Sequence, residues 1–368
     1  RLLIPQKLYG REKEALLLKN AFDRVIQQGA CELVLVAGYA GIGKTSLVRE
    51  LHKPVAREHG FFLHGKCDQY KRNFPYATIT EAFKEIIQYI LTLTDEYITR
   101  WAVRLRRALG PNGQLMVEVI PQLELIIGKQ PPVADLTQTE NQNRFHSVFH
   151  NFVNVFTSRE HPLVVFLDDL QWVDAATLKL IEHLVTNPDT QYLLLLGAYR
   201  DNEVDASHPL SRMMDIVRTA NASCRTVTLA PLSFSDLAQL NADMFRSDPA
   251  TVQALAKLVY EKTAGNPFFA IQFLTALYAE HLLTFDRDSR TWLWDISYIR
   301  EKGYSDNVVD LVAGKLKRLS AATQHAIQLA AHIGTNFDLQ TLAAIGGKTE
   351  RHIREALGEA LREGLIVP

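Results

Sequence analysis

The stretch GYAGIGKT, Gly38 to Thr45, satisfies two phosphate-binding patterns at once. Gly38-x-x-Gly41-x-Gly43 is a loose dinucleotide-type glycine spacing, and Gly38-x-x-x-x-Gly43-Lys44-Thr45 is a P-loop. The β-like run ELVLVAG (Glu32–Gly38) leads into it, and the helical pattern TSLVRELHKPVAREHG leads out. Strand, loop, helix is the context both motifs require. Glycines let the backbone curl so that successive N–H groups point at phosphate oxygens. The following helix adds its N-terminal partial positive charge. In the P-loop reading the segment from Gly38 through Gly41, Ile42, Gly43, Lys44, Thr45 and Ser46 lines the phosphates. Lys44 reaches the β- and γ-phosphates, and Thr45 places its hydroxyl on Mg²⁺. The dinucleotide reading needs an acid near the end of the second strand. Asp68, after FFLHGKC, stands in such a position, but that reading leaves Lys44 and Thr45 without a role.

A second motif, PLVVFLDDLQWVD, ends an apolar strand in two acids, Asp168 and Asp169. Two adjacent carboxylates at a buried strand end cost desolvation unless a cation or hydrogen bonds meet them. A Mg²⁺–triphosphate supplies that cation. Asp168 is then the acid that binds Mg²⁺, and Asp169 the base that orients or activates the attacking water. In LLLLGAYRDNEVD, Arg200 stands just past another strand, where an arginine can sense the γ-phosphate.

Three further β-like runs are FFLHGKC (Phe61–Cys67), YLLLLGAY (Tyr192–Tyr199) and RTVTLAPL (Arg225–Leu232); the fifth is LVVFLDD (Leu163–Asp169). Most are continuously apolar, the pattern of a parallel sheet covered by helices on both faces. REKEALLLKNAFDRVIQQG reads as a helix capped at Gly29. Phe145, Phe149, Phe152 and Phe156 recur at helical spacing, a core-facing stripe before it is a platform for stacking bases. Arg100, Arg104, Arg106 and Arg107 fall in a helical insertion at about residues 68–160 and read as a solvated helix face. LLTFDRDSRTWLWD predicts a hairpin, and short helices follow from Tyr304.

The 368 residues are enough for two or three domains, and their formal net charge of −1 argues against a chain built to coat nucleic acid or an anionic membrane. Cys31, Cys67 and Cys224 are far apart and share no metal-ligand spacing, which fits a reducing, cytoplasmic setting. No apolar run approaches the ~18 residues of a membrane helix. The chain starts without Met and stops at EGLIVP, so it reads as a fragment of a longer protein.

LYGREKE, GYAGIGKT, FLDDLQWVD, GAYRD and GNPFF, in this order, resemble the AAA+-related STAND ATPases, signal transduction ATPases with numerous domains. The nearest likeness is the module of large bacterial proteins that join a serine/threonine kinase to a sensor histidine kinase. The resemblance implies an α/β P-loop NTPase core with sheet order 5-1-4-3-2, then a helical lid and a winged-helix domain. On this sequence those divisions fall at residues 1–232, 233–303 and 304–368. It implies that Tyr9, Gly10 and Arg11 lie beside the adenine and that Pro267, in Gly265-Asn266-Pro267, packs near the base. It also implies ATP or ADP with Mg²⁺ as ligand, attached effector domains as partners, and nucleotide-dependent self-association. The chain departs from the family in showing no obvious arginine finger and no downstream histidine to read the β-phosphate.

Three functions compete. The first is a slowly hydrolysing ATP switch that moves lid and winged helix and signals to effector domains. The second is a DNA-binding initiator or remodelling ATPase. It predicts a basic recognition helix, whereas the last helix mixes Glu350, Glu355, Glu359 and Glu363 with Arg351, Arg354 and Arg362. The third is a scaffold that holds nucleotide without turnover.

Overall fold

Five parallel strands carry the chemistry: β1 (Cys31–Ala37), β2 (Phe61–Lys66), β3 (Leu163–Asp168), β4 (Leu193–Tyr199) and β5 (Cys224–Thr228). Their order is β2-β3-β4-β1-β5, the 5-1-4-3-2 arrangement read from the other edge. The computed structural model describes residues 2–134, 137–301, 316–317, 319–333, 337–362 and 365–366. It divides into two units, Arg11–Leu229, and Arg1–Gly10 together with Ala230–Pro368. The division thus falls after Leu229 rather than Leu232, and the first ten residues leave the sheet-bearing unit.

Within Arg11–Leu229, every residue of β3 and β4 is buried, and so is all of β1 except Cys31. These are the continuously apolar runs, and burial on both faces is the reason for them. The edge strands β2 and β5 are only partly covered. Helix α1 (Glu12–Gln28) ends where Gly29 adopts φ 63°, a left-handed cap.

The single helix expected after the glycine loop is broken into α2 (Lys44–Arg49) and α3 (His52–Arg57). Pro54 explains the break. It has no N–H to donate, and its ring collides with the carbonyl four residues back, that of Glu50.

Between β2 and β3 lie α4 (Ala77–Leu91), α5 (Asp95–Leu109), α6 (Gly113–Val119), α7 (Glu124–Ile127) and α8 (Gln138–Asn154). Thr137 and Glu140 cap α8 reciprocally. Phe145, Phe149, Phe152 and Phe156 are all buried, and Phe83 of α4 packs among the last three. The stripe is core, at about 1.5–3 kcal/mol for each fully buried ring. The arginine face is solvated: Arg100, Arg104, Arg106 and Arg107 are all exposed. Arg104 donates to the Val155 carbonyl at 2.6 Å and Arg106 to that of Ile127 at 2.8 Å, so these two tie α5 to neighbouring segments. Helices α9 (Ala175–Thr186) and α10 (Pro209–Thr219) follow β3 and β4.

In the other unit, α11 (Phe234–Phe245), α12 (Pro249–Thr263) and α13 (Pro267–Ala279) bury Leu237, Leu255, Phe273 and Leu277. The predicted hairpin is present as β6 (Thr284–Asp286) and β7 (Thr291–Leu293), and α14 (Ile296–Glu301) follows. Helices at Ala321–Ile333, Leu339–Gly346 and Glu350–Arg362 pack around Ala326, Leu342, Ile353 and Leu357. The expected start of a winged-helix domain at residue 304 and the residue Glu363 lie outside the described residues. Among the described residues no strand follows β7, so a wing is not among them.

Candidate nucleotide-binding site

The glycine loop joins the end of β1 to the first turn of α2. Gly38, Gly41 and Gly43 have φ of 152°, 73° and 101°, conformations that L side chains rarely adopt. At Gly38 an added Cβ would come within 3.0 Å of the Leu229 carbonyl, so the loop passes tightly over β5's end. At Gly43 a Cβ would meet nothing within 4 Å; the loop faces open space there, and backbone conformation alone demands glycine. Ile42 is buried and Ser46 exposed. Arg11, itself buried, donates to the Ile42 carbonyl at 3.3 Å and braces the loop from behind.

Lys44 is 7% exposed, and its ammonium donates to the carbonyls of Gly38 at 2.7 Å and Tyr39 at 2.9 Å. Burial pulls this ammonium below its ordinary range, against the opposing attraction of Asp168 and Asp169. Thr45 donates its hydroxyl to Asp168 Oδ2 at 2.7 Å. Asp168 is buried at the end of β3, and its other oxygen accepts from the Asp169 N–H at 2.9 Å.

Asp169 turns away in a left-handed conformation, φ 55°, ψ 44°. Its carboxylate accepts from the Gln171 amide at 3.1 Å. Lys66, ending β2, stands 3.5 Å from one oxygen, and Arg200, just past β4, 3.8 Å from the other. Arg200 also pairs with Glu203 at 2.8 Å. Gly197 lets this turn sit close: a Cβ there would come within 2.3 Å of Leu170.

This donor set fits a Mg²⁺-bound phosphate chain. A hydroxyl and a buried carboxylate already share one proton-bearing contact, a buried ammonium is adjacent, and the loop opens where Gly43 lacks a side chain. Among the described residues no group of three or more His, Cys, Asp or Glu could hold a metal alone. A Mg²⁺ with few protein ligands and the rest from phosphate and water is the usual solution.

A family model described as AAA ATPase domain matches residues 7–196, just over half of the chain. The chain belongs to the AAA ATPase domain family. It is similar to the hybrid signal transduction histidine kinase G of Dictyostelium discoideum, 29% identical over 427 aligned residues that cover 99% of this chain and 12% of that protein. The peroxide stress-activated histidine kinase mak2 of Schizosaccharomyces pombe is 23% identical over 291 residues, covering 73% and 12%. The chain therefore spans 12% of the length of either curated relative. Among solved structures, a Signal Transduction ATPase with Numerous Domains (STAND) protein with a tetratricopeptide repeat sensor from Pyrococcus horikoshii aligns with TM-score 0.48 and 12% identity, over 97% of this chain and 40% of that one. Cdc6p from Pyrobaculum aerophilum aligns with TM-score 0.43 and 10% identity, over 97% and 82%.

The AAA ATPase domain match takes in the glycine loop, Asp168 and Asp169. The structure gathers Arg11, Gly38, Gly41, Ile42, Gly43, Lys44, Thr45, Asp168, Asp169 and Arg200 in one unit. Tyr9, Gly10 and Pro267 fall in the other. There Tyr9 is buried and donates to Asp243 at 2.8 Å. Gly10 has φ 59° beside Asp236, and Pro267 opens α13 behind its cap Asn266. Two residues that sequence reading passed over also meet Asp169: Lys66 and Gln171. No described helix is long and apolar enough to cross a membrane.

Proposed function

We propose that this AAA ATPase domain binds Mg²⁺ and ATP, hydrolyses the nucleotide slowly, and passes its nucleotide state to effector domains of a longer signalling chain. The observation that carries the reading is the contact between Thr45 and Asp168, with Lys44 and Asp169 at the same end of the sheet. Thr45 and Asp168 would hold Mg²⁺, which supplies positive charge against the negative charge that develops on the phosphoryl oxygens. The N–H groups from Gly41 to Ser46 and the Lys44 ammonium bind and orient the phosphates. Asp169 accepts a proton from the attacking water or aims it, and Arg200 reads the γ-phosphate. A part for Tyr9, Gly10 and Pro267 in holding the base rests on the family resemblance alone. Similarity to two histidine kinases supports a signalling context.

Slow turnover follows from what surrounds Asp169. Lys66 at 3.5 Å and Arg200 at 3.8 Å engage its carboxylate oxygens and compete with an incoming water for them. The same observation favours a second reading, a scaffold that holds nucleotide without cleaving it. Single-turnover hydrolysis by the wild type and by Asp169→Asn separates them. The proposal expects measurable cleavage in the wild type, and in the variant normal ATP binding with cleavage lost. No cleavage in either favours the scaffold; equal cleavage in both removes Asp169 from the chemistry.

A further inference from the structure

We propose that Gln171 is a positioning residue for ATP hydrolysis, whose side-chain amide aims the Asp169 carboxylate. The inference rests on the reading of Asp169 as the group that handles the attacking water.

Asp169 needs an external guide. It lies beyond the last residue of β3, in a left-handed turn conformation, so neither strand register nor helix geometry sets its direction. Lys66 and Arg200 stand beyond hydrogen-bonding distance, at 3.5 and 3.8 Å, and both side chains are 35% exposed. Gln171 is different: it is 3% exposed, and both ends of its amide are engaged. Its Nε2 donates to Asp169 Oδ1 at 3.1 Å, and its Oε1 accepts from the Arg200 N–H at 3.2 Å.

Only one orientation of the amide works. Turned over, it would set an oxygen against the carboxylate and an NH₂ against an N–H. The Gln171 peptide is anchored as well. His208 accepts the Leu210 N–H at Nδ1, 3.1 Å, so its proton sits on Nε2, which donates to the Gln171 carbonyl at 3.3 Å. Gln171 thus ties the candidate base to the backbone where β4 ends. Being uncharged, it fixes direction without neutralising the carboxylate, which a cation at the same distance would do.

Two variants test this, each measured for ATP affinity, single-turnover rate and melting temperature. Gln171→Met keeps the volume and removes both bonds. It should hold ATP within about threefold of wild type and slow cleavage by roughly ten- to a hundredfold. Gln171→Glu keeps the acceptor toward Arg200 but sets a second negative oxygen against Asp169. The repulsion turns the carboxylate out of line, so cleavage should fall at least as far as in the Met variant while ATP affinity holds. A Met variant that cleaves at the wild-type rate, or that loses affinity, rate and melting temperature together, overturns the proposal. So does a Glu variant that cleaves at the wild-type rate. Asp169→Asn run alongside tells the two failures apart: if it still cleaves normally, the reading of Asp169 has failed, and if only the Gln171 variants are silent, this inference alone has.

Discussion

Thr45 Oγ1 lies 2.7 Å from Asp168 Oδ2 and joins residues 123 positions apart, one in the first turn of α2 and the other at the end of β3. That bond places the two expected Mg²⁺ ligands together. Thr45→Ala should therefore weaken ATP binding by about ten- to a hundredfold when Mg²⁺ is present and change it little in excess chelator. It also leaves a buried carboxylate oxygen without its donor, at a cost of about 1–3 kcal/mol. Nucleotide titration and thermal melting check both effects, and equal affinity with and without Mg²⁺ in the wild type would oppose the assignment.

Gly43→Ala isolates backbone conformation from packing. The added methyl meets nothing within 4 Å, yet it must sit at φ 101°. The strain costs roughly 1–3 kcal/mol, and the loop escapes it by turning its N–H groups out of line. The expected result is a lower melting temperature and loss of ATP binding, with the sheet intact by circular dichroism.

Stability should fall on mild acidification. His146 and His150 of α8 are buried near His183 of α9, with ring centres 5.5 and 6.1 Å from it. Burial, and for His146 the neighbouring His183 and Lys179, holds its pKa down to about 4; burial lowers the other two as well, with Asp189 opposing this at His150. An unfolded imidazole titrates near ~6.5, so between these values the unfolded chain binds more protons. Stability is full above about 6.5 and is lost progressively toward pH 4. Melting temperature should drop over that window, and less steeply in His146→Gln.

The sequence was legible where one physical constraint acts locally. Strands β1, β3 and β4 announce themselves because burial on both faces leaves no room for polar alternation. Gly38, Gly41 and Gly43 are legible because each takes a positive φ. The roles of Lys66 and Gln171 were not, because each depends on which strand ends lie side by side. The break between α2 and α3 was legible at Pro54 in principle, but the helical pattern around it runs on without interruption. The bond from Arg11 to the loop's own Ile42 carbonyl was not legible either, because the partners stand 31 residues apart.

The most direct test of the nucleotide site is an equilibrium titration of ATP with Mg²⁺ against the wild type and Lys44→Ala. Lys44 is buried against the loop carbonyls, with no surface role to confuse the result. The account predicts saturable binding by the wild type and a loss of about a hundredfold or more, roughly 2.7 kcal/mol, in the variant. Unchanged affinity in Lys44→Ala would contradict it.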